Sequence, residues 1–259
     1  MKKQTQKTAL ITGFSRGIGA AITTQLVKEG YYVYGVSRSE SESSNELVQK
    51  LKPNITGLYF DLEKKKEVEL MLEKLKKVKF DVVVNNAGVI EMENFKKFDY
   101  KIWTKTLNIN LNAILLTSVR LINQMKEGGS IVNIASTDGM TGSYSSMSYS
   151  ASKAALINLT QSLALNYGKY KVRVNSISPG WINTEMATES SLEAADLAPL
   201  GRNGKPSEIA NVVSFLISPK ASFITGSNIV VDGGYGCVDY IMRKESQESS
   251  EDLENAPAG

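Results

Sequence analysis

The 259-residue chain has no histidine and one cysteine. The missing histidine excludes most. No Ser-His-Asp triad, Cys-His pair or His-bearing metal centre can form within the chain. Acid–base chemistry must therefore run on Tyr, Lys, Asp or Glu. The lone Cys237 permits no internal disulfide and no cysteine-built metal site. No carboxylate cluster has the spacing of a metal-ligand set. Apolar runs are short, such as Val82-Val83-Val84, far below the roughly 20 residues of a membrane helix. After the basic start Met1-Lys2-Lys3-Gln4 the apolar run ends at Gly13, short of a secretory signal. The expectation is a cytoplasmic protein with no membrane segment.

A 42% hydrophobic share is enough to build a core. The net charge of +3 hides an asymmetry. Residues 245–259 carry five acids and no base, so the rest of the chain is +8. A basic body can signal nucleic acid. Here the densest run, Lys64 to Lys79, is interleaved with Glu67, Glu69 and Glu73. That pattern fits a solvated helix face, and no nucleic-acid partner is expected.

Strand and helix patterns alternate. Apolar strands are predicted at Thr8–Thr12, Tyr31–Ser37, Ile55–Phe60, Phe80–Val84, Ser130–Ala135, Val172–Ile177 and Ser227–Val231. Between them lie helical patterns. Ile18, Ile22 and Leu26 recur at i, i+4, i+8, and one long helix is expected over about Asp99 to Met125. Others are expected at Ser148–Tyr167 and Pro206–Ile217. Alternation at this spacing predicts an α/β fold: a single doubly wound Rossmann domain over 1–244. Its seven-stranded sheet would be mainly parallel, with helices on both faces and right-handed crossovers. The acidic tail, 245–259, reads as disordered.

Strand one runs into Thr12-Gly13-Phe14-Ser15-Arg16-Gly17-Ile18-Gly19 and a helix. Glycines let the backbone approach a ligand. The helix start offers free N–H groups and a positive dipole end to a pyrophosphate. The spacing is G-x-x-x-G-x-G rather than G-x-G-x-x-G. It resembles the cofactor motif of the short-chain dehydrogenase/reductase family, and the resemblance spans about residues 7–236. Asn85-Asn86-Ala87-Gly88 resembles the family's N-N-A-G. Asn110 sits in its x-N-L context. Ser136, Tyr149 thirteen later and Lys153 four after that fall in register. So do Pro179-Gly180-Trp181-Ile182-Asn183-Thr184 and Asp232-Gly233-Gly234.

The resemblance implies a dinucleotide cofactor. Its contacts would be Gly13, Ser15, Arg16, Gly17, Ile18 and Gly19 in the turn, then Ser37 and Arg38 after strand two. Asp61 and Leu62 follow strand three, with Asp61 at the adenine position; Asp61 would also serve as a helix N-cap. Asn86, Ala87, Gly88, Tyr149, Lys153, Pro179, Gly180, Ile182 and Thr184 complete the set. An NAD enzyme usually carries an acid at the end of strand two for the ribose 2′-OH. Here Ser37 and Arg38 stand there, and Arg16 approaches from the turn. A guanidinium can hold a 2′-phosphate through paired hydrogen bonds, so NADP(H) is expected.

Tyr149 and Lys153 are four apart, on one helix face. A free phenol titrates near 10, and a neighbouring ammonium favours its ionised form. The tyrosine can then exchange a proton with a carbonyl or alcohol oxygen while hydride moves to or from the cofactor. The resemblance implies that Lys153 also holds the nicotinamide ribose, Ser136 orients the oxygen, and Asn110 shapes the active-site backbone and a water relay. It further implies a homodimer or homotetramer, and a substrate lid at 185–200. The expected activity is interconversion of a small ketone and a secondary alcohol.

Pro199-Leu200-Gly201-Arg202 and Ala151-Ser152-Lys153-Ala154 resemble the 3-oxoacyl-[acyl-carrier-protein] reductases, the alternative substrate class. Those dock an acyl-carrier protein with arginines before strands five and six. Glu127 and Tyr170 occupy these places here, with Lys169 and Lys171 beside the second. A non-catalytic NADP(H)-sensing regulator is a further alternative. Regulators of that kind usually lose the tyrosine or the lysine, and both are present.

Overall fold

Alternate residues of the central strands point to opposite sides of the sheet, and both sides are apolar. A computed structural model describes residues 6–184, 197–239 and 241–242. The strands are β1 (Thr8–Thr12), β2 (Tyr32–Ser37), β3 (Ile55–Tyr59), β4 (Phe80–Asn85), β5 (Met125–Ile134), β6 (Arg173–Pro179) and β7 (Asn228–Val231). The helices are α1 (Gly17–Lys28), α2 (Glu42–Leu51), α3 (Lys65–Leu75), α4 (Tyr100–Leu107), α5 (Ala113–Leu121), α6 (Met147–Tyr167) and α7 (Pro206–Ile217). Ala9, Ile11, Val82, Val84, Val132 and Ile134 face one side with Ile22 and Leu26 of α1 and Ile209 and Val213 of α7. Leu10, Val83, Ile131 and Val174 face the other with Met71 and Leu75 of α3, Leu121 of α5 and Leu163 of α6. Burial on both faces is what a parallel sheet requires.

The strand order is β3-β2-β1-β4-β5-β6-β7, and every pairing is parallel. The expected seven-stranded doubly wound sheet is therefore present, and it is wholly rather than mainly parallel. The chain reverses direction across the sheet at β1 and β4. Ligands in such sheets bind at the carboxyl ends of strands beside this switch point.

The helical stretch expected from Asp99 to Met125 is present as contiguous turns over 100–124, with a wider segment in its middle. Between α4 and α5 runs a wider π-turn, Asn108–Asn112. At its centre the Asn110 side chain bonds to Val89 and Ser152 rather than lying on a regular helix face. Such turns open where side chains compete with the backbone ladder. Strand β5 also begins at Met125, not Ser130. Polar Lys126 and Glu127 and the Gly128-Gly129 pair hide this start, and the β4 register shifts between Phe80 and Val82 to accommodate it. Among the described residues no helix is long and apolar enough to cross a membrane. The tail expected at 245–259, and residues 185–196 of the expected lid, lie outside the described residues.

Candidate active site

A cleft of about 510 Å³ lies along the carboxyl ends of β1, β2 and β4. That volume suits a ligand of cofactor or drug size. One wall is the glycine turn. Gly13 has φ +67°, and a Cβ there would sit 2.8 Å from Asn86 Nδ2 and 2.9 Å from Ala87 Cα. A Cβ on Gly19 would stand 1.8 Å from the Gly13 carbonyl oxygen. The turn and the first turn of α1 therefore close on each other through backbone alone. Asn86 fastens this turn to β4. Its Nδ2 donates to the Thr12 and Gly13 carbonyls at 3.0 Å. The backbone N–H groups of Asn86 and Ala87 donate to Thr12 Oγ1 at 3.0 Å. No side chain caps α1, so its first N–H groups face the cleft as an anion site.

The other end is lined by Ser37, Arg38, Asp61 and Leu62, all expected. Arg16 lines it too, from the turn. Sequence reasoning missed Val36, Ser39, Ser41, Ser43, Phe60, Val89 and Ile109 in the lining. The alternating serines from Ser37 to Ser43 were a visible signal, but only the turn into α2 directs them here. Asp61 is the one acid in this lining among the described residues. It does not cap α3, whose N-cap is Lys64. Its Oδ1 accepts from the Glu63 N–H at 3.1 Å, and Lys64 pairs with it at 3.3 Å.

Gly88 joins the cleft to the four expected catalytic residues. A Cβ on Gly88 would lie 3.4 Å from both Asn110 Oδ1 and Lys153 Nζ. Asn110 is fully buried. Its Oδ1 accepts from the Val89 N–H at 2.9 Å, and its Nδ2 donates to the Val89 carbonyl at 2.9 Å and to Ser152 Oγ at 3.1 Å. Ser152 Oγ in turn donates to the Tyr149 carbonyl at 2.7 Å. Lys153 is 3% exposed. Its Nζ donates to the Ile134 carbonyl at 2.8 Å and lies 5.5 Å from the Tyr149 ring centroid. Ser136 stands two residues past β5 and caps the following turn, its Oγ accepting from the Asp138 N–H at 3.2 Å. Gly139 packs the following turn on α6, where a Cβ would meet the Lys153 carbonyl carbon at 2.7 Å.

The electrostatics differ from the sequence expectation in one respect. Burial lowers the Lys153 ammonium to about 8. The Tyr149 phenol is raised above its ordinary value, not lowered: burial dominates, the Ser136 side chain works the other way, and Asp138 adds to the rise. The Asp138 carboxyl is itself raised by burial. The Lys153 ammonium is turned to the Ile134 carbonyl, and burial sets the direction of the phenol's shift.

Thr184 lines the cleft as expected, but Tyr149, Lys153, Pro179, Gly180 and Ile182 do not. Lys153 Nζ lies behind Gly88, and the Tyr149 ring stands beside it. Gly180 packs on Asp232, where a Cβ would be 2.6 Å from the Asp232 Cβ. Ile182 bridges to Gly204. Among the described residues no three His, Cys, Asp or Glu side chains gather to hold a metal.

Residues 13–236 match the family model described as Enoyl-(Acyl carrier protein) reductase. The chain belongs to the short-chain dehydrogenase/reductase family. This short-chain dehydrogenase/reductase is 36% identical over 241 residues to a protein of Listeria innocua named NAD-dependent glycerol dehydrogenase, covering 89% of this chain and 94% of the relative. It is 36% identical over 239 residues to a 3-oxoacyl-[acyl-carrier-protein] reductase of Aquifex aeolicus, covering 88% and 96%. The solved structure of BdcA in complex with NADPH matches with a TM-score of 0.84 at 30% identity, over 90% of this chain and 96% of that one. The chain is thus an oxidoreductase of a nicotinamide-nucleotide-binding family.

Proposed function

We propose that this short-chain dehydrogenase/reductase uses NADP(H) to interconvert a ketone and a secondary alcohol, with Tyr149 as general acid and base. The observation that carries this reading is the layout of one cleft. Lys153 stands behind Gly88 of the lining and next to the Tyr149 ring, whose phenol meets the Ser136 side chain, and Arg16 and Arg38 line the cleft beside hydroxyls. The cleft fits the cofactor. Gly13, Gly17 and Gly19 line it with backbone alone, and the uncapped α1 start suits a pyrophosphate. Arg16 and Arg38 would hold the 2′-phosphate, with Ser37, Ser39, Ser41 and Ser43 as hydroxyl donors around it. Gly88, Asn86 and Lys153 would hold the nicotinamide half. When bound, the nicotinamide supplies or takes the hydride.

Within the protein, Tyr149 delivers its phenolic proton to the substrate oxygen in reduction and takes it back in oxidation. Ser136 steadies that oxygen by a second hydrogen bond. Lys153 holds positive charge beside the phenol. Asn110 fixes the Val89 backbone on the cleft wall through two hydrogen bonds. The Tyr149–Lys153 pair also disfavours the reading as a mere cofactor sensor.

A second substrate class, the carrier-bound 3-oxoacyl thioester, is supported by the Aquifex relative. The carrier-docking region argues against it. Glu127 lies inside β5 and pairs with Lys171 at 2.5 Å, spending a cation on an exposed carboxylate. Assembly into a homodimer or homotetramer is supported by exposed apolar side chains on α4 and α5: Tyr100, Leu115 and Val119.

The test combines binding and turnover. NADPH should bind at least about tenfold more tightly than NADH if a guanidinium–phosphate contact is made; equal dissociation constants would remove the NADP(H) assignment. NADPH oxidation is then followed over small ketones, hydroxyketones and acetoacetyl thioesters. Tyr149→Phe should abolish turnover with cofactor binding nearly intact. Retained turnover would refute the proton-transfer role.

A further inference from the structure

We infer that Glu93 is a positioning residue for Tyr149: it caps the catalytic helix α6 from a different loop and ties that helix to the cofactor wall. This rests on the proton-transfer reading above. Helix α6 starts at Met147, and its own N-cap, Ser146, makes no side-chain cap bond. The Ser146 hydroxyl is engaged instead with Ser143 Oγ at 2.7 Å. The first turn of α6 contains no acid. The vacancy is filled from 55 residues away. Both carboxylate oxygens of Glu93 accept from the Ser148 N–H, at 3.1 and 3.3 Å. The Glu93 N–H donates back to the Ser145 carbonyl at 2.7 Å.

Glu93 is 8% exposed, and no ion pair to it forms among the described residues. A carboxylate at a helix N-terminus satisfies an otherwise orphaned N–H and meets the positive end of the dipole. Ser148 immediately precedes Tyr149. Glu93 follows Gly88 and Val89, which line the cleft, by a few residues on the same loop. Asn110 holds the near end of this loop through Val89, and Glu93 holds its far end to α6. The two anchors together set the distance between the cofactor wall and the phenol. Without the second, Tyr149 could still fold into α6 but would lose its fixed approach to Ser136.

The test is a set of Glu93 substitutions in the full chain. Glu93→Gln keeps an oxygen acceptor for the Ser148 N–H and should keep kcat within about threefold. Glu93→Ala should lower kcat by at least about tenfold, since a displacement near 1 Å at the chemistry can cost on the order of 100-fold. The NADPH dissociation constant should stay within about twofold in both. A loss of thermal stability in Glu93→Ala with kcat unchanged would overturn the proposal. So would a Gln variant as impaired as Ala. If Glu93→Ala does not fold, Glu93→Asp, whose carboxylate is one methylene short, should lose kcat while binding NADPH normally; full kcat would overturn the proposal.

A readout independent of turnover separates the two readings. Subtracting the ultraviolet titration of Tyr149→Phe from that of the parent isolates this phenol, which faces Ser136, Asp138 and Lys153. Because Ser136 holds the phenol down, Glu93→Ala should shift its titration upward and Glu93→Gln should not. An active Tyr149→Phe variant, or a parent with no turnover, counts against the assigned activity; the titration then decides the role of Glu93 by itself, and an unmoved phenol in Glu93→Ala refutes it.

Discussion

Replacing Lys153 by Met should make the free protein more stable and catalytically dead. Lys153 is 3% exposed, and burial lowers its ammonium from 10.5 to about 8. Each unit corresponds to about 1.4 kcal/mol, so carrying this charge into the fold costs about 3 kcal/mol near neutral pH. Methionine has a similar volume and no charge. The substitution leaves the Ile134 carbonyl without its 2.8 Å donor, a loss of about 1–2 kcal/mol. The net gain is about 1–2 kcal/mol, or roughly 3–6 °C in Tm for a domain of this size.

The pH dependence identifies the cause. The folded state releases this proton at about 8 and the unfolded chain near 10.5. Between these values the unfolded chain binds more protons, so the parent gains stability as pH rises. The contribution is fully present above the unfolded value and is lost as pH falls through the folded one. The advantage of Lys153→Met should therefore shrink by about 2 kcal/mol between about pH 7 and about pH 9.5. Thermal or urea melts of both proteins across this range, without cofactor, measure it. A variant less stable than the parent at neutral pH, or a difference flat with pH, would refute the reasoning.

Asn110→Ala should destabilise the protein, because the Val89 N–H and carbonyl lose their partners at about 1–3 kcal/mol each. A Tm drop of roughly 5 °C or more, with weaker NADPH binding, is expected in melts and titrations; an unchanged Tm would show that water replaces the amide. Asp138→Asn removes a negative charge that raises the Tyr149 phenol. The phenolate then forms more readily, so the acid limb of the pH–rate profile for alcohol oxidation should move to lower pH. A limb that stays in place would detach Asp138 from the phenol.

The local elements were readable because their signals are local. The runs from Thr8 to Thr12 and from Phe80 to Val84 are apolar on both faces, as a buried parallel strand must be. Pro206 and Ile217 bound α7 as read from the sequence. The reading failed where a tertiary bond overrides a local pattern. The helical period from Asp99 to Met125 continues through Asn110, and the widening to a π-turn there goes with the side-chain bonds to Val89 and Ser152. Strand β5 starts among Lys126, Glu127 and two glycines, where only pairing with Phe80 makes a strand.

The candidate site divides in the same way. The family, the glycine turn, the spacing of Ser136, Tyr149 and Lys153, and the lack of an acid at Ser37 are legible along the chain, because each is carried by residues near one another or in fixed order. Tertiary structure alone decided the direction of the phenol's titration. Spacing reveals the neighbouring lysine, but only the packed interior shows that burial raises the phenol. It also decided what caps α6. A serine sits at the cap position in the sequence, yet the fold uses its hydroxyl elsewhere and brings Glu93 across 55 residues in its place. Burial and long-range hydrogen bonding are properties of the packed chain, and no local pattern encodes them.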